Sequence, residues 1–216
     1  VVGQQAAYIQ LGWRLGGATS NDVDLASMVT SMLYNRQAGL IDLDLVQQQK
    51  VLEASAGLMN LADYSALMFY GRPRDGQTLE DVERLLVEQM NRIKRGDFPD
   101  WLMSAVVKDY KYSLTKSFEN NTARVNSITD AFIKGVSWEN YIGRLDRIKA
   151  LTKQQIVEFA NKNFNDNYVV VYKKVGTDSS VMKVDKPKIT PVVLNRKDKS
   201  AFATEFLKQE SPRLAP

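Results

Sequence analysis

The chain has 216 residues, 44% of them hydrophobic and 25% charged, the proportions of a folded protein with room for one substantial core. It contains no cysteine and no histidine. This excludes disulfides, thiolate zinc sites and cysteine nucleophiles. It also removes the usual neutral-pH base, the usual partner of a nucleophilic serine and the commonest ligand of catalytic zinc, so this chain is expected to hold no catalytic and no metal site of its own. The net charge of +4 comes from 29 basic and 25 acidic residues. Eight basic residues (Lys183, Lys186, Lys188, Arg196, Lys197, Lys199, Lys208, Arg213) and four acidic ones (Asp185, Asp198, Glu205, Glu210) fall in residues 181–216, and subtraction leaves 21 of each sign in residues 1–180. A neutral body argues against a nucleic-acid or anionic-membrane surface.

The chain opens Val1-Val2-Gly3, without methionine, a basic start or an apolar run long enough for a signal peptide or membrane span. It therefore reads as a piece of a longer polypeptide. From Ala6 to Leu15, Ala7, Ile9, Leu11, Trp13 and Leu15 alternate with Tyr8, Gln10, Gly12 and Arg14, which predicts a strand with one buried face. Ser20 or Asn21 then caps a helix carrying Leu25, Met28, Val29, Met32 and Leu33 on one side, with Asp22 and Asp24 at its positive end. Two alternating runs between Lys50 and Gly71 predict a hairpin around Asn60–Asp63, and Arg72–Gly76 reads as a turn.

Five helices are expected next. The first is capped by Thr78, buries Val82, Leu85, Leu86, Met90 and Ile93, and stops at Gly96. The second starts at Pro99 and runs through Trp101, Leu102, Val106, Tyr110 and Leu114. Asn121 opens the third, with Val125, Ile128 and Phe132 as its apolar positions. Ser137 caps the fourth, from Trp138 to Ile148, and Thr152 with Gln155 forms a capping box for the fifth. Tyr168–Tyr172 is β-branched and aromatic and predicts a strand returning to the sheet. The order predicts an α+β two-layer sandwich over residues 1–176, with an antiparallel or mixed sheet and helices packed on one face. Residues 177–216 hold four of the six prolines and read as an extended basic linker, with a short helix around Phe202, Phe206 and Leu207 as an exception.

The glycines form no phosphate-binding motif and read as turns. Asp42 and Asp44 alternate with Ile and Leu, so both would project from one solvated face of an extended segment. Lys108, Lys111 and Lys116 interleave with Tyr110, Tyr112 and Phe118, a composition compatible with nucleic acid, but Asp109 and Glu119 share the segment and amphipathic helix is the reading adopted. Trp13, Trp101 and Trp138 all fall on predicted apolar faces and are assigned to the core.

The closing segment Leu151–Ala160, then Phe164, then Asn167–Tyr172, together with the opening strand and helix, resembles a domain repeated in the pitrilysin/insulinase zinc metallopeptidases. That resemblance covers roughly residues 5–175. It implies a clamshell of two halves built from similar α+β domains around a peptide-holding chamber. It also implies zinc bound in another domain by an inverted H-x-x-E-H helix, with the motif glutamate activating water. None of those residues exists here. A substrate-facing Arg followed seven residues on by Tyr would fall at Arg36 and Leu43, and the Leu departs from it. The resemblance therefore favours a non-catalytic second domain of the first half, whose partners are other domains of the same polypeptide and unfolded peptide, with no nucleic acid and no membrane insertion. Tyr8, Gln10, Arg14 and Arg36 are the candidate chamber-facing residues, and a bacterial envelope location is the compartment the family suggests. A scaffold or assembly subunit without proteolysis is the alternative.

Overall fold

A computed structural model describes residues 1–178, 180, 182, 184–192, 194, 195 and 197–209. Contacts divide the chain into two units, Val1–Asp178 and a second one beginning at residue 179. The first is built on a five-stranded mixed sheet, in which β1 (Val2–Gly3), β2 (Tyr8–Gly16), β3 (Glu53–Asn60), β4 (Tyr64–Arg72) and β5 (Val169–Val175) lie in the order β1-β5-β2-β4-β3. Only β1 and β5 pair in parallel. The other three pairings are antiparallel, so β2 lies between β5 and β4, and β3 forms the far edge.

Residues of β2 alternate between core and water as their polarity requires. Ile9, Leu11, Trp13 and Leu15 are buried, each large side chain contributing about 1.5–3 kcal/mol by leaving water. Trp13 is the hub: its ring meets those of Phe69, Phe164 and Tyr168 at centroid distances of 5.2, 5.8 and 5.0 Å, and its indole N–H donates to the Asn165 carbonyl at 2.9 Å. The buried polar end is satisfied, so the ring contributes its full apolar area to the core.

Helix α1 (Val23–Leu33) packs against β3, and α2 (Leu79–Arg95) lies across β2 and β4. The bounds of α2 follow from sequence chemistry: Thr78 and Asp81 cap each other's backbone reciprocally, and Gly96 takes the left-handed φ of 70° that ends the helix. Next come α3 (Trp101–Ser117), α4 (Asn121–Ile133), α5 (Trp138–Ile142), α6 (Arg144–Lys149) and α7 (Lys153–Asn163), the last packing on α1 and α2 with the predicted Thr152–Gln155 capping box. The unit is thus an α+β sandwich with its helices on one side of a mixed sheet. Among the described residues, no helix is long and apolar enough to cross a membrane.

Four expectations are corrected. The fourth helix is two, because the chain breaks at Gly143, which ends α5 and starts α6. Asp42 and Asp44 do not share an extended face: Asp42–Val46 is a π-helical turn, Asp42 is buried, and Asp44 pairs with Arg92. Trp101 and Trp138 remain 49% and 43% exposed, whereas Trp13 is core. The apolar positions of α4 (Val125, Ile128, Phe132) are exposed, and Ala131 alone among its residues is buried. The periodicity of α4 thus marks a face that this unit leaves largely in water.

The second unit contains α8 (Ala201–Phe206), capped by the Ser200 hydroxyl, with Phe202 and Phe206 stacked at 6.0 Å. Lys183, Arg196, Glu210, Pro212, Arg213 and Pro216, which belong to the expected linker, lie outside the described residues.

Candidate functional site

Because successive side chains alternate across a strand, burying Ile9, Leu11 and Trp13 under the helices forces Tyr8, Gln10 and Arg14 onto the opposite face. The structure brings these three together with residues of β4 that the pairing register places beside them: Gln10 faces Tyr70, Gly12 faces Met68 and Arg14 faces Ala66. The Tyr8 and Tyr70 rings sit 5.5 Å apart, the Gln10 amide donates to the Met68 sulfur at 3.7 Å, and the Arg14 guanidinium lies 3.7 Å over the Tyr64 ring. Next to them, Arg72 pairs with Glu53 across β4 and β3 at 3.4 Å. Burial, with Glu53 close by, pushes the Tyr70 phenol above its ordinary value.

This face combines aromatic edges, a soft thioether and amide and guanidinium donors, with Gly12 and Gly57 leaving the backbone low on either side of Met68. Such a surface offers stacking, soft thioether contact and hydrogen-bond donors side by side. At the β5 end, Lys173 is buried beneath the incoming chain, its ammonium donating to the carbonyls of Gly3, Gln5 and Ala6. That lysine fixes the first residues in place. Tyr64, Met68 and Tyr70 were missing from the sequence-based set because they join it only through the β2–β4 register, which a single strand's alternation does not contain.

Arg36 is set apart from this group. It is exposed in the loop after α1 with φ 68°, and no ion pair includes it among the described residues. The loop around it is pinned by side-chain-to-backbone hydrogen bonds. One carboxylate oxygen of Asp42 accepts the backbone N–H of Asn35 at 2.9 Å and of Gly39 at 3.0 Å, and the Asn35 side chain accepts from Gln37 and Ala38. Gly39 must be glycine, since a Cβ there would lie 2.6 Å from the Leu33 carbonyl oxygen.

On the helical side, Glu83 of α2 accepts from the hydroxyls of both Tyr168 and Tyr172, and these bonds push both phenols up to about 12. The cluster ties α2 to the last strand. No three His, Cys, Asp or Glu side chains among the described residues are grouped to hold a metal ion. With neither histidine nor cysteine in the chain, the residues present do not fit the zinc that the resemblance implies elsewhere.

The chain matches no protein-family model and no curated protein. It does superpose on solved structures. A protease from Helicobacter pylori aligns with a TM-score of 0.75 at 16% identity, over 81% of this chain and 43% of its own length. A domain from Bordetella parapertussis, described as the inactive peptidase domain of a candidate zinc protease, aligns with a TM-score of 0.69 at 13% identity, over 78% and 92%. A chain of complex III2 from Candida albicans gives 0.66 at 15% identity, over 81% and 45%. The chain thus spans less than half the length of the first and third of these and nearly matches a single domain in the second. By strand order, helical layer and these superpositions, it has the pitrilysin-like fold of M16 peptidase domains.

Proposed function

We propose that the chain is a non-catalytic domain of a larger zinc-dependent metalloendopeptidase, supporting a zinc-bearing domain elsewhere in the polypeptide and lending its uncovered sheet face to the wall of a peptide-holding chamber. The observation that carries this reading is the sheet's second face, where Tyr8, Gln10, Arg14, Tyr64, Met68 and Tyr70 form a continuous mixed surface that no helix of the first unit covers. Similarity to an inactive peptidase domain supports the non-catalytic part, and the basic, proline-bearing residues 177–216 serve as a connection within the longer chain.

The rival reading, a scaffold subunit without proteolysis, draws support from the similarity to a chain of complex III2. Metal analysis and peptide hydrolysis separate the two. After dialysis the isolated chain retains no stoichiometric zinc and cleaves nothing under either reading, whereas the complete polypeptide retains zinc and cleaves unfolded peptide only under the first. One zinc per isolated chain, with activity lost to a chelator, overturns both.

A further inference from the structure

On the helical layer, away from the sheet face, α1, α3 and α6 leave a groove of about 600 Å³. Its floor is apolar: Met28, Met103, Val107, Leu145, Ile148 and Leu151 line it, Met28 and Ile148 being buried. Two of the six are methionines, whose unbranched thioether chains reshape to fit different apolar partners. The rim is cationic. Lys108 and Lys111, one helical turn apart, stand on the α3 wall, with Lys149 at the end of α6 and Lys153 just beyond. Against these four stand Asp100, which pairs with Lys153 at 3.4 Å, and Asp146. Among the described residues, Lys108, Lys111 and Lys149 have no carboxylate within ion-pair distance. The body as a whole carries equal numbers of both signs, so this local excess is a property of the groove and not of the domain.

We infer that this groove docks an acidic amphipathic helix of a separate partner protein. An apolar trough between two helices receives the apolar stripe of a third, read as anchors at i, i+3, i+4 and i+7. Acidic residues flanking that stripe then meet lysines on both walls, which orients the helix and excludes basic segments. This surface is independent of the sheet face and of the proteolytic or scaffold reading.

The test uses the 216-residue chain and a fluorescein-labelled peptide of about 18 residues, roughly 27 Å of helix, built from Leu and Glu at that spacing. Fluorescence anisotropy should show micromolar binding that weakens about tenfold or more in the triple variant K108E/K111E/K149E, and weakens again as salt rises from about 50 to 300 mM. Val107→Ser should lower affinity independently of salt, with thermal melts confirming that both variants fold. Equal binding of a charge-mirrored Leu/Lys peptide, equal binding of a scrambled Leu/Glu peptide, or unchanged affinity in the triple variant overturns the proposal. Binding of dodecanoate without the peptide assigns the groove to a fatty acid instead. Self-association that the triple variant dissolves assigns it to a second copy, and either result also overturns it.

Discussion

Two glycines on opposite faces of the same sheet give opposite signs for the same substitution. Gly71 faces α2: a Cβ there would lie 2.5 Å from Val82 Cγ1, 3.1 Å from Leu86 Cδ1 and 3.4 Å from Ile9 Cγ2. Val82 and Leu86 are fully buried, and a β-branched valine in a helix has one strongly preferred rotamer, so it cannot swing aside. Overpacking of this kind costs about 1–3 kcal/mol, and the backbone entropy gained by replacing glycine offsets about 0.5–1 kcal/mol of it. Gly71→Ala should therefore destabilise by about 1–2 kcal/mol, lowering the midpoint of thermal unfolding by roughly 4 °C in a chain of this size. Gly57 lies on β3 opposite Met68, on the uncovered face, and a Cβ there meets nothing within 4 Å. Gly57→Ala keeps only the favourable term and should raise the midpoint by roughly 2 °C. Thermal melts followed by circular dichroism measure both. Shifts of the same sign, above all a stabilising Gly71→Ala, would mean that α2 does not press on that face and that the two sides of the sheet are wrongly distinguished.

Asp42→Ala removes an acceptor shared by the buried Gly39 N–H and the half-buried Asn35 N–H and should cost about 2–3 kcal/mol in urea unfolding, whereas Asp42→Asn keeps one oxygen in place and should cost about 1 kcal/mol; equal costs would contradict the shared-acceptor geometry. The Glu83 cluster sets an alkaline dependence. The phenols of Tyr168 and Tyr172 titrate near 12 when folded against 10.0 when unfolded, so their contribution is complete below pH 10 and is lost as pH rises toward 12. Urea stability of the parent should fall more steeply across that window than that of Glu83→Gln, and parallel curves would refute the linkage.

What the sequence made legible is what local physics determines. The alternation of Ile9 to Leu15 gave the strand and its buried face because period-two patterning has one solution when one face must be dry. Reciprocal caps at Thr78 and Thr152 fixed two helix starts because their partners lie three residues away. Features that depend on distant chain were not legible. The grouping of Tyr70 with Gln10 needs a register set 60 residues apart in sequence. The turn at Asp42–Val46 misled because four residues of alternating Asp and Leu cannot separate a strand from a helical turn, and the backbone N–H groups of Asn35 and Gly39 that hold Asp42 carry no side-chain signature. The exposure of Val125, Ile128 and Phe132 was hidden for a third reason: hydrophobic periodicity marks a face that favours burial without saying whether this unit supplies the burial.

The most direct test of the central claim, that the uncovered sheet face meets peptide, exploits the absence of cysteine. A benzophenone attached through Gln10→Cys, on that face, is compared with one attached through Arg84→Cys, on the exposed side of α2, where the parent side chain is 77% accessible. Each is irradiated in the complete polypeptide, with any cysteine outside these 216 residues replaced by serine, in the presence of a labelled unfolded peptide, and adducts are quantified on denaturing gels. The account predicts adducts from position 10 and little from position 84. Equal yields, or adducts from position 84 alone, would contradict it.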